Sequence, residues 1–437
     1  MSSWVVWSTN SVAMFPCLRE LQIKNCPNLI DVSLEALPSL RVLTLYKCCE
    51  SVLRSLVQAA SSTTKLEIRS ILGLTDEVWR GVIENLGAVE ELSIQDCDEI
   101  RYMWESDAEA SKVLVNLKEL KVWDCKKLVS LCCPNGIESL YIRRCSSVRD
   151  VSFRRATTTG GGGQNLKSLT IDIFSCGNLK SINQLSNSTH LTSLLISGCE
   201  NMELFSDFHQ LSKLTSLIIS ECESIESFPN LQLPNLTHLN IRSCKNMKAF
   251  GDLQLPNLIG WWLSDCENLE SFPDLQLPNL TRLKDMTIRN CPMIDASFPR
   301  GLWPPKLCFL ETGGLKKPIS EWGYQNFPPS LVRLMLQGEP DVRNFSQLSH
   351  LFPSSLTKLN IGEFDNLESL STGLQHLTSL QHLYIGNCPK VKDLPETLLP
   401  SLLSLGIYGD CPKLKERCEG RGSHYWPRIS HIPCIHV

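Results

Sequence analysis

Apolar residues recur along the chain in one phrase, Leu-x-x-Leu-x-Ile-x-x-Cys, and most steps between copies are 22 to 25 residues. Clear copies run from Leu236 to Cys244 and from Leu380 to Cys388. The central Ile, or the residue in its place, lies at positions 23, 45, 68, 94, 122, 142, 173, 196, 219, 241, 263, 288, 312, 336, 361, 385 and 407. The alternation around this centre predicts one short strand per copy, with Leu and Ile facing inward.

A period in this range with this phrase is typical of a leucine-rich repeat. Because one copy can bury its apolar face only against its neighbours, the copies should stack into an α/β solenoid of about 17 repeats, a horseshoe with one parallel sheet on its concave face. Strands about 4.8 Å apart would then form an arc on the order of 80 Å. The segments between strands are rich in Pro and Ser, so the convex side is predicted to be mostly irregular or 3₁₀.

The cysteines follow the same period. Thirteen of the twenty occupy one repeat position: 26, 48, 97, 125, 145, 176, 199, 222, 244, 266, 291, 388 and 411. A residue that recurs once per copy is a stacking position, and a buried thiol packs as a small apolar group whose S–H can reach a nearby carbonyl. A reduced interior of this kind predicts the cytosol or nucleus. Finger-like Cys/His spacing is missing, so we expect no zinc.

We expect three regions: an N-terminal remnant at 1–17, the repeats at 18–411 and a C-terminal cap at 412–437. The copy at 294–330 lacks the cysteine and gathers prolines, which predicts an irregular repeat and not a boundary. The longest step holds 157–163 with a run of four glycines, which predicts a flexible surface loop. The step from 94 to 122 contains Trp104, in an enlarged turn over 104–107.

Charge and motifs give little support to an enzyme. The net charge is -4 and the pI about 6.2, so nothing requires nucleic acid or an anionic membrane as partner. No apolar stretch approaches the roughly 18 residues of a membrane-spanning helix. Residues 161–168 nearly match a phosphate-binding loop, but Leu166 replaces the second glycine and the segment leads into a strand instead of a helix. We therefore expect no catalytic residue, metal or cofactor in this chain.

Alternation also predicts which side chains of the strands point outward, away from the core. Many outward positions carry aromatic residues or arginine, which are over-represented at binding hot spots. The candidates for a concave protein-binding face are Tyr46, Trp123, Tyr141, Arg143, Arg242, Trp262, Arg289, Tyr384 and Tyr408. Trp261 takes an inward Leu position, so Trp262 should face solvent. Strands also favour aromatic residues for packing alone, so the hypothesis concerns the whole face, because an extended curved surface is what a solenoid offers.

Three stretches resemble the repeat region of plant disease-resistance proteins of the nucleotide-binding, leucine-rich-repeat family, in its coiled-coil class. They lie at 15–29, 367–390 and 411–433. The last, with Cys-Pro-Lys-Leu-Lys-Glu-Arg-Cys and Trp-Pro-Arg-Ile-Ser-His-Ile-Pro, is the most specific. It should cap the last copy through Trp426, Ile429 and Ile432. The family usually has acidic residues before this Trp, where this chain has His424 and Tyr425.

The resemblance implies recognition of a pathogen effector or of a guarded host protein. It also implies contact in cis with the family's nucleotide-binding domain, which would bind ADP or ATP. This chain has neither that domain's phosphate loop nor the N-terminal coiled coil, so we expect the back half of a larger receptor, in the cytosol or nucleus.

Two alternatives remain open. An F-box-type leucine-rich-repeat substrate receptor of a ubiquitin ligase also carries cysteine-containing repeats, and residues 71–77 resemble its Leu-Thr-Asp phrase in one copy. Its period is nearer 26, with helical convex sides. An extracellular receptor ectodomain would have Asn at the cysteine position, capping disulfides and a signal peptide.

Overall fold

The computed structural model describes residues 5–8, 15–34, 36–104, 112–134, 136–153, 168–183, 185, 190–204 and 208–437. The chain divides into an N-terminal unit, Met1–Ile225, and a C-terminal unit, Glu226–Val437. The predicted glycine loop at 157–163, the near phosphate-loop match and the turn residues after Trp104 lie outside the described residues.

One parallel sheet forms the centre of the N-terminal unit, and each strand pairs with the next along the chain. The alternating pattern of the repeat puts every second side chain of these strands inside. The strands are β1 (Glu20–Cys26), β2 (Val42–Cys48), β3 (Lys65–Arg69), β4 (Glu91–Gln95), β5 (Glu119–Trp123), β6 (Ser139–Arg143), β7 (Leu169–Phe174), β8 (Leu191–Ser197) and β9 (Ser216–Ser220).

The C-terminal unit repeats this arrangement with its own parallel sheet. Its strands are β10 (His238–Arg242), β11 (Gly260–Ser264), β12 (Asp285–Cys291), β13 (Phe309–Leu315), β14 (Arg333–Gln337), β15 (Lys358–Gly362), β16 (His382–Gly386), β17 (Ser404–Tyr408) and β18 (Cys434–His436). The prediction of a leucine-rich-repeat solenoid is confirmed. All seventeen predicted strand centres lie in these strands and are buried.

The side opposite the sheet, convex in this fold, is mostly irregular, as predicted, with a few short helices. Among the described residues, the α-helices are α1 (Glu50–Ala59), α2 (Asp76–Ile83), α3 (Pro412–Cys418) and α4 (Trp426–Ile429). The 3₁₀ segments are Phe208–Gln210, Asp274–Asn279, Ile319–Glu321, Phe345–Leu351 and Leu399–Ser401.

Short parallel strands outside the main sheets pair with one another in separate sets, which the repeat pattern does not predict. These are Val6–Ser8 with Asp31–Ser33, then Ser130–Cys133, Asp150–Phe153 and Ser181–Asn183, then Ser227–Phe228 with Ala249–Phe250, and Leu231–Gln232 with Leu253–Gln254.

The thirteen cysteines at the repeat position are all buried, which confirms the stacking position. In twelve of them the thiol donates to the carbonyl two residues earlier, at the end of the strand. The nearby carbonyl that accepts from each of these thiols is thus the one at the end of the strand. Burial raises the pKa of Cys97, Cys176 and Cys199 to about 12. These thiols therefore remain protonated and unreactive near neutral pH.

A left-handed residue precedes the cysteine in twelve of these thirteen copies, with φ between 50° and 64°. This conformation turns its backbone N–H toward the strand-end carbonyl of the next copy. Asp96 N donates to Trp123 O at 2.9 Å, and Asp124 N donates to Arg143 O at 2.9 Å. The same two carbonyls accept Sγ–H from Cys125 and Cys145 at 3.5 Å. Two donors thus fix the last outward residue of these two strands.

The C-terminal segment covers the end of the sheet with different residues from those expected. Ile429 and Ile432 are buried, as predicted, whereas Trp426 is only half-buried. The buried aromatic side chain is Tyr425, whose hydroxyl accepts from Leu394 N at 3.1 Å. The smaller, polar-tipped ring satisfies that backbone amide, which an indole N–H cannot do. Strand β18 then pairs with β17.

The irregular copy at 294–330 still contributes β13 to the sheet. Its glycine-rich strand makes close backbone contact, because a Cβ at Gly313 would lie 1.7 Å from Gln337 O. Aromatic side chains replace the aliphatic core behind it, where Phe298, Trp303 and Trp322 pack edge-on or tilted against one another. None of the helices in the described part of the chain combines the length and hydropathy that crossing a bilayer requires.

Candidate recognition surface

Each strand of the main sheet presents three outward side chains, which we call the first, second and third outward positions. Across neighbouring strands in register, each position forms a column. All nine candidate residues lie in the second or third column, on strands β2, β5, β6, β10, β11, β12, β16 and β17. Their side chains are half-buried or exposed. The register that the sequence predicts is therefore the register in the structure.

In the N-terminal unit, the candidates are close to one another and to further cations. Arg69 Cζ lies 5.0 Å and Lys47 Nζ 5.2 Å from the centre of the Tyr46 ring. Lys121 Nζ lies 5.5 Å from the centre of the Tyr141 ring. Such cation–π pairs contribute about 0.5–1 kcal/mol at exposed sites and keep the rings oriented.

A hollow of about 460 Å³ lies on this face between Tyr46 and Trp123. It spans strands β1 to β5, and its lining includes Lys24, Arg69 and Lys121. Thr44 and Ser93 are short side chains in the second column, which leaves the space open. The hollow thus combines aromatic, cationic and hydroxyl groups with one carboxylate, that of Glu67, which is paired with Lys65.

On strands β7 to β9, which follow Arg143, the second column of the same face is acidic or apolar. Asp172 stands in the second column of β7, and burial raises the pKa of its carboxyl group. The next outward residues in that column are Leu195 and Ile218, both half-buried. These two residues and Phe174 are not among the predicted candidates, although the same register places them on this face, because the candidates comprise only Tyr, Trp and Arg.

In the C-terminal unit, the Trp262 ring lies over the bare backbone of Gly260 and stacks on His238. The two ring centroids are 5.9 Å apart and their planes differ by 5°. A Cβ at Gly260 would lie 2.1 Å from the Trp262 ring, so the glycine is what allows the ring to lie flat. Trp261 is buried at 1% exposure, which confirms that the two tryptophans face opposite sides.

The two candidate arginines of this unit already have partners on the sheet. Arg242 Nε lies 3.5 Å from Asp265 Oδ2. Arg289 Nε lies 3.5 Å from Glu311 Oε1, and its guanidinium donates to Gln337 Oε1 at 2.8 Å. Arg289 is therefore fixed by side chains on the next strands, which sequence spacing alone could not show.

The last candidates form an aromatic stack at the C-terminal end. Tyr384 and Tyr408 lie over Gly406, and Lys358 Nζ is 4.7 Å from the centre of the Tyr384 ring. The stack continues to His436 on β18, with centroids 6.3 Å apart. His436 was not predicted as an outward residue, because β18 does not carry the repeat phrase.

Within the described ranges, no three His, Cys, Asp or Glu side chains converge in a way that could hold a metal ion. The stacked parallel strands, the buried cysteine position and the left-handed turns define a leucine-rich-repeat protein, a fold whose extended surface typically serves as a binding module.

Comparison with known proteins found similar solved structures only. No protein-family model matches the chain, and no curated protein matches it. A leucine-rich-repeat protein of Leptospira interrogans is similar at 17% identity and a TM-score of 0.44, over 92% of this chain and 91% of that one. The mouse RP105/MD-1 complex is similar at 16% identity and a TM-score of 0.43, over 90% of this chain and 75% of that one. The TLR13–ssRNA13 complex is similar at 16% identity and a TM-score of 0.49, over 97% of this chain and 75% of that one. At these identities the similarity concerns the fold alone.

Proposed function

We propose that this chain is the non-enzymatic protein-recognition module of a plant intracellular immune receptor, which senses a pathogen effector or a guarded host protein. The observation that carries the proposal is the outward face of each sheet, where aromatic and cationic side chains are held in register by a rigid backbone. Aromatic residues and arginine are the residue types that dominate binding energy at protein interfaces. A preorganised face of this kind loses little entropy on binding.

The plant assignment rests on the sequence resemblance at 15–29, 367–390 and 411–433. In that family the repeats also contact a nucleotide-binding domain in cis, and that domain binds ADP or ATP. A location in the cytosol or nucleus is supported by the thirteen buried thiols, which are typical of a reducing compartment.

A proximity-labelling experiment in infected plant tissue tests this proposal. The wild-type chain is compared with a double variant of the outward face, Trp123→Ala with Tyr384→Ala, and with Leu275→Ala, which removes an exposed side chain outside the sheet. We expect the outward-face variant to lose an effector or host protein that the wild type and Leu275→Ala retain, and the purified pair to bind directly. Identical labelling by all three chains would contradict the proposal.

A second candidate is a substrate receptor of a ubiquitin ligase. Helices α1 and α2 on the convex side favour it, and Thr75 Oγ1 caps α2 by accepting from Val78 N at 3.5 Å. Apart from α3 and α4 in the C-terminal segment, the α-helices of this side are limited to these neighbouring copies in the described residues. Recovery of a ubiquitin-ligase adaptor in the same labelling experiment, in place of an effector or guarded protein, would favour this candidate.

A further inference from the structure

We propose that the third outward column of the N-terminal unit binds an extended acidic segment of the partner protein. This inference rests on the proposed function, because it assigns a chemical class to the partner's contact region. The column, which we call the cation–aromatic column, consists of Lys24, Tyr46, Arg69, Gln95, Trp123 and Arg143 on strands β1 to β6.

On this face, some charged side chains have an oppositely charged partner and others have none. In the described part of the chain, Lys24, Arg69 and Arg143 have no carboxylate within salt-bridge distance. Three acids of the face, Glu67, Glu91 and Glu119, are paired with lysines instead. Lys65 Nζ lies 3.1 Å from Glu67 and 3.3 Å from Glu91, and Lys121 pairs with Glu119. The column therefore keeps three uncompensated cations beside neutralised acids, which calls for an anionic partner.

Aromatic side chains alternate with these cations and enclose the hollow between Tyr46 and Trp123. At about 460 Å³ the hollow has room for one large apolar side chain of a partner. Its aromatic walls are oriented by Arg69 and Lys47 on the Tyr46 side. A ligand that fits this site combines carboxylates with an apolar side chain between them.

The strand spacing determines where those carboxylates must lie. Neighbouring strands are about 4.8 Å apart, so Lys24 and Arg69, two strands apart, are separated by about 10 Å, and Arg143 lies about 14 Å further. An extended peptide advances about 3.3 Å per residue. A segment that crosses the strands would therefore place acidic residues about three and then four positions apart, with an apolar residue after the second.

A protein segment fits this column better than a nucleic acid does. Glu20, Glu91 and Glu119 occupy the first column of the same sheet, about 13 Å along the strands from the third column. Asp96 borders the third column on its other side. A polyanion with a phosphate at every nucleotide would meet Glu20 and Asp96, which bond to Gln22 and Ser70 and have no lysine or arginine partner among the described residues. Spaced acidic side chains meet only the cations.

Fluorescence anisotropy with the full chain tests this inference. The probe is a labelled octapeptide, Glu-Ala-Ala-Glu-Leu-Ala-Ala-Glu, compared with the same peptide carrying Gln for Glu and with a labelled decauridine. We expect the Glu peptide to bind at least about tenfold more tightly than the Gln peptide, and added salt to weaken it, because exposed charge pairs are screened.

Arg143 and its neighbour supply a matched pair of variants. Arg143 has no carboxylate partner, whereas Arg144 Nε lies 2.6 Å from Asp124 Oδ1 outside the column. Arg143→Gln and Arg69→Gln should each weaken peptide binding about fivefold, and Arg144→Gln should leave it unchanged. The melting temperature of each variant reports whether the fold is retained.

Three results would overturn the inference: equal binding of the Gln peptide, equal loss in Arg143→Gln and Arg144→Gln, or tighter binding of the decauridine that the same variants weaken. Failure of the acidic-segment inference can be distinguished from failure of the proposed function. If the labelled partner still depends on Trp123 and Tyr384 but no acidic peptide binds, the proposed function stands and this inference is wrong.

Discussion

The rings of Tyr384 and Tyr408 lie nearly parallel over Gly406, with centroids 6.2 Å apart and planes 12° apart. A Cβ at Gly406 would lie 2.6 Å from Tyr384 Cδ1 and 2.5 Å from Tyr408 Cε2. The glycine thus leaves the space in which the two rings stack. Since neighbouring copies contribute the three residues, this part of the surface depends on stacking as well as on sequence.

Gly406→Ala should separate the two rings. We expect a loss of about 1 kcal/mol in the free energy of unfolding, the usual contribution of an aromatic pair, and a reduced near-ultraviolet circular dichroism signal. Gly386→Ala is the matched control, because its nearest neighbour would lie at 3.9 Å. An unchanged spectrum in Gly406→Ala, or an equal change in both variants, would mean that the rings do not stack as described.

Thiol accessibility tests the cysteine position. Cys17 is exposed, and Cys49, Cys132, Cys308 and Cys434 are half-buried, so at most five of the twenty cysteines should react with a thiol reagent in the native protein at pH 8. The fifteen buried ones should react only after denaturation, without added reductant, because the packed interior keeps the reagent away from their sulfur atoms.

Identification of the labelled cysteines by mass spectrometry completes that experiment. Rapid native labelling at Cys176 or Cys199 would show that the repeat position is open to solvent. A requirement for reductant after denaturation would show disulfides and would contradict the prediction of a reducing compartment.

Glu339 gives the chain a predictable pH dependence. It occupies the repeat position where most copies carry cysteine, is 2% exposed, and accepts from Ile319 N at 3.1 Å. Burial raises the pKa of its carboxyl group from 4.5 to about 7. The folded state therefore binds more protons than the unfolded state between these values, and stability falls as the pH rises from 4.5 to about 7.

Glu339→Gln keeps an acceptor for Ile319 N–H and removes the buried charge. We expect it to exceed the wild type in unfolding free energy by about 1–3 kcal/mol at pH 8, with the difference shrinking toward pH 4.5. Urea unfolding at both pH values measures this, with the exposed Glu321→Gln as control. A variant no more stable than the wild type at pH 8 would show that the carboxylate is stabilised by other groups.

The strands and their inward residues could be predicted because stacking and alternation determine them together. Every predicted centre, including the polar Thr312, is buried in a strand. The candidate residues were placed by the same register. Their partners could not be predicted, because a contact such as Arg289 with Gln337 joins residues 48 positions apart.

Other features depend on tertiary contacts that the repeat phrase does not encode. Strand β18 has no copy of the phrase and exists through its pairing with β17. Tyr425 replaces Trp426 as the buried cap residue because its hydroxyl reaches Leu394 N. Gly260 and Gly406 are ordinary in sequence and are identified only by the rings that lie over them.

Hydroxyl-radical footprinting of the chain with and without its labelled partner tests the central claim, recognition through the outward face of the sheets. The chain supplies its own controls in Tyr102 and Tyr324, which lie outside the main sheets and are 47% and 80% exposed. The outward probes are Tyr46, Trp123, Tyr141, Trp262, Tyr384 and Tyr408. Recognition through this face predicts that partner binding protects a set of these probes and leaves Tyr102 and Tyr324 unchanged. Protection of Tyr102 or Tyr324 with all six outward probes unaffected would contradict it.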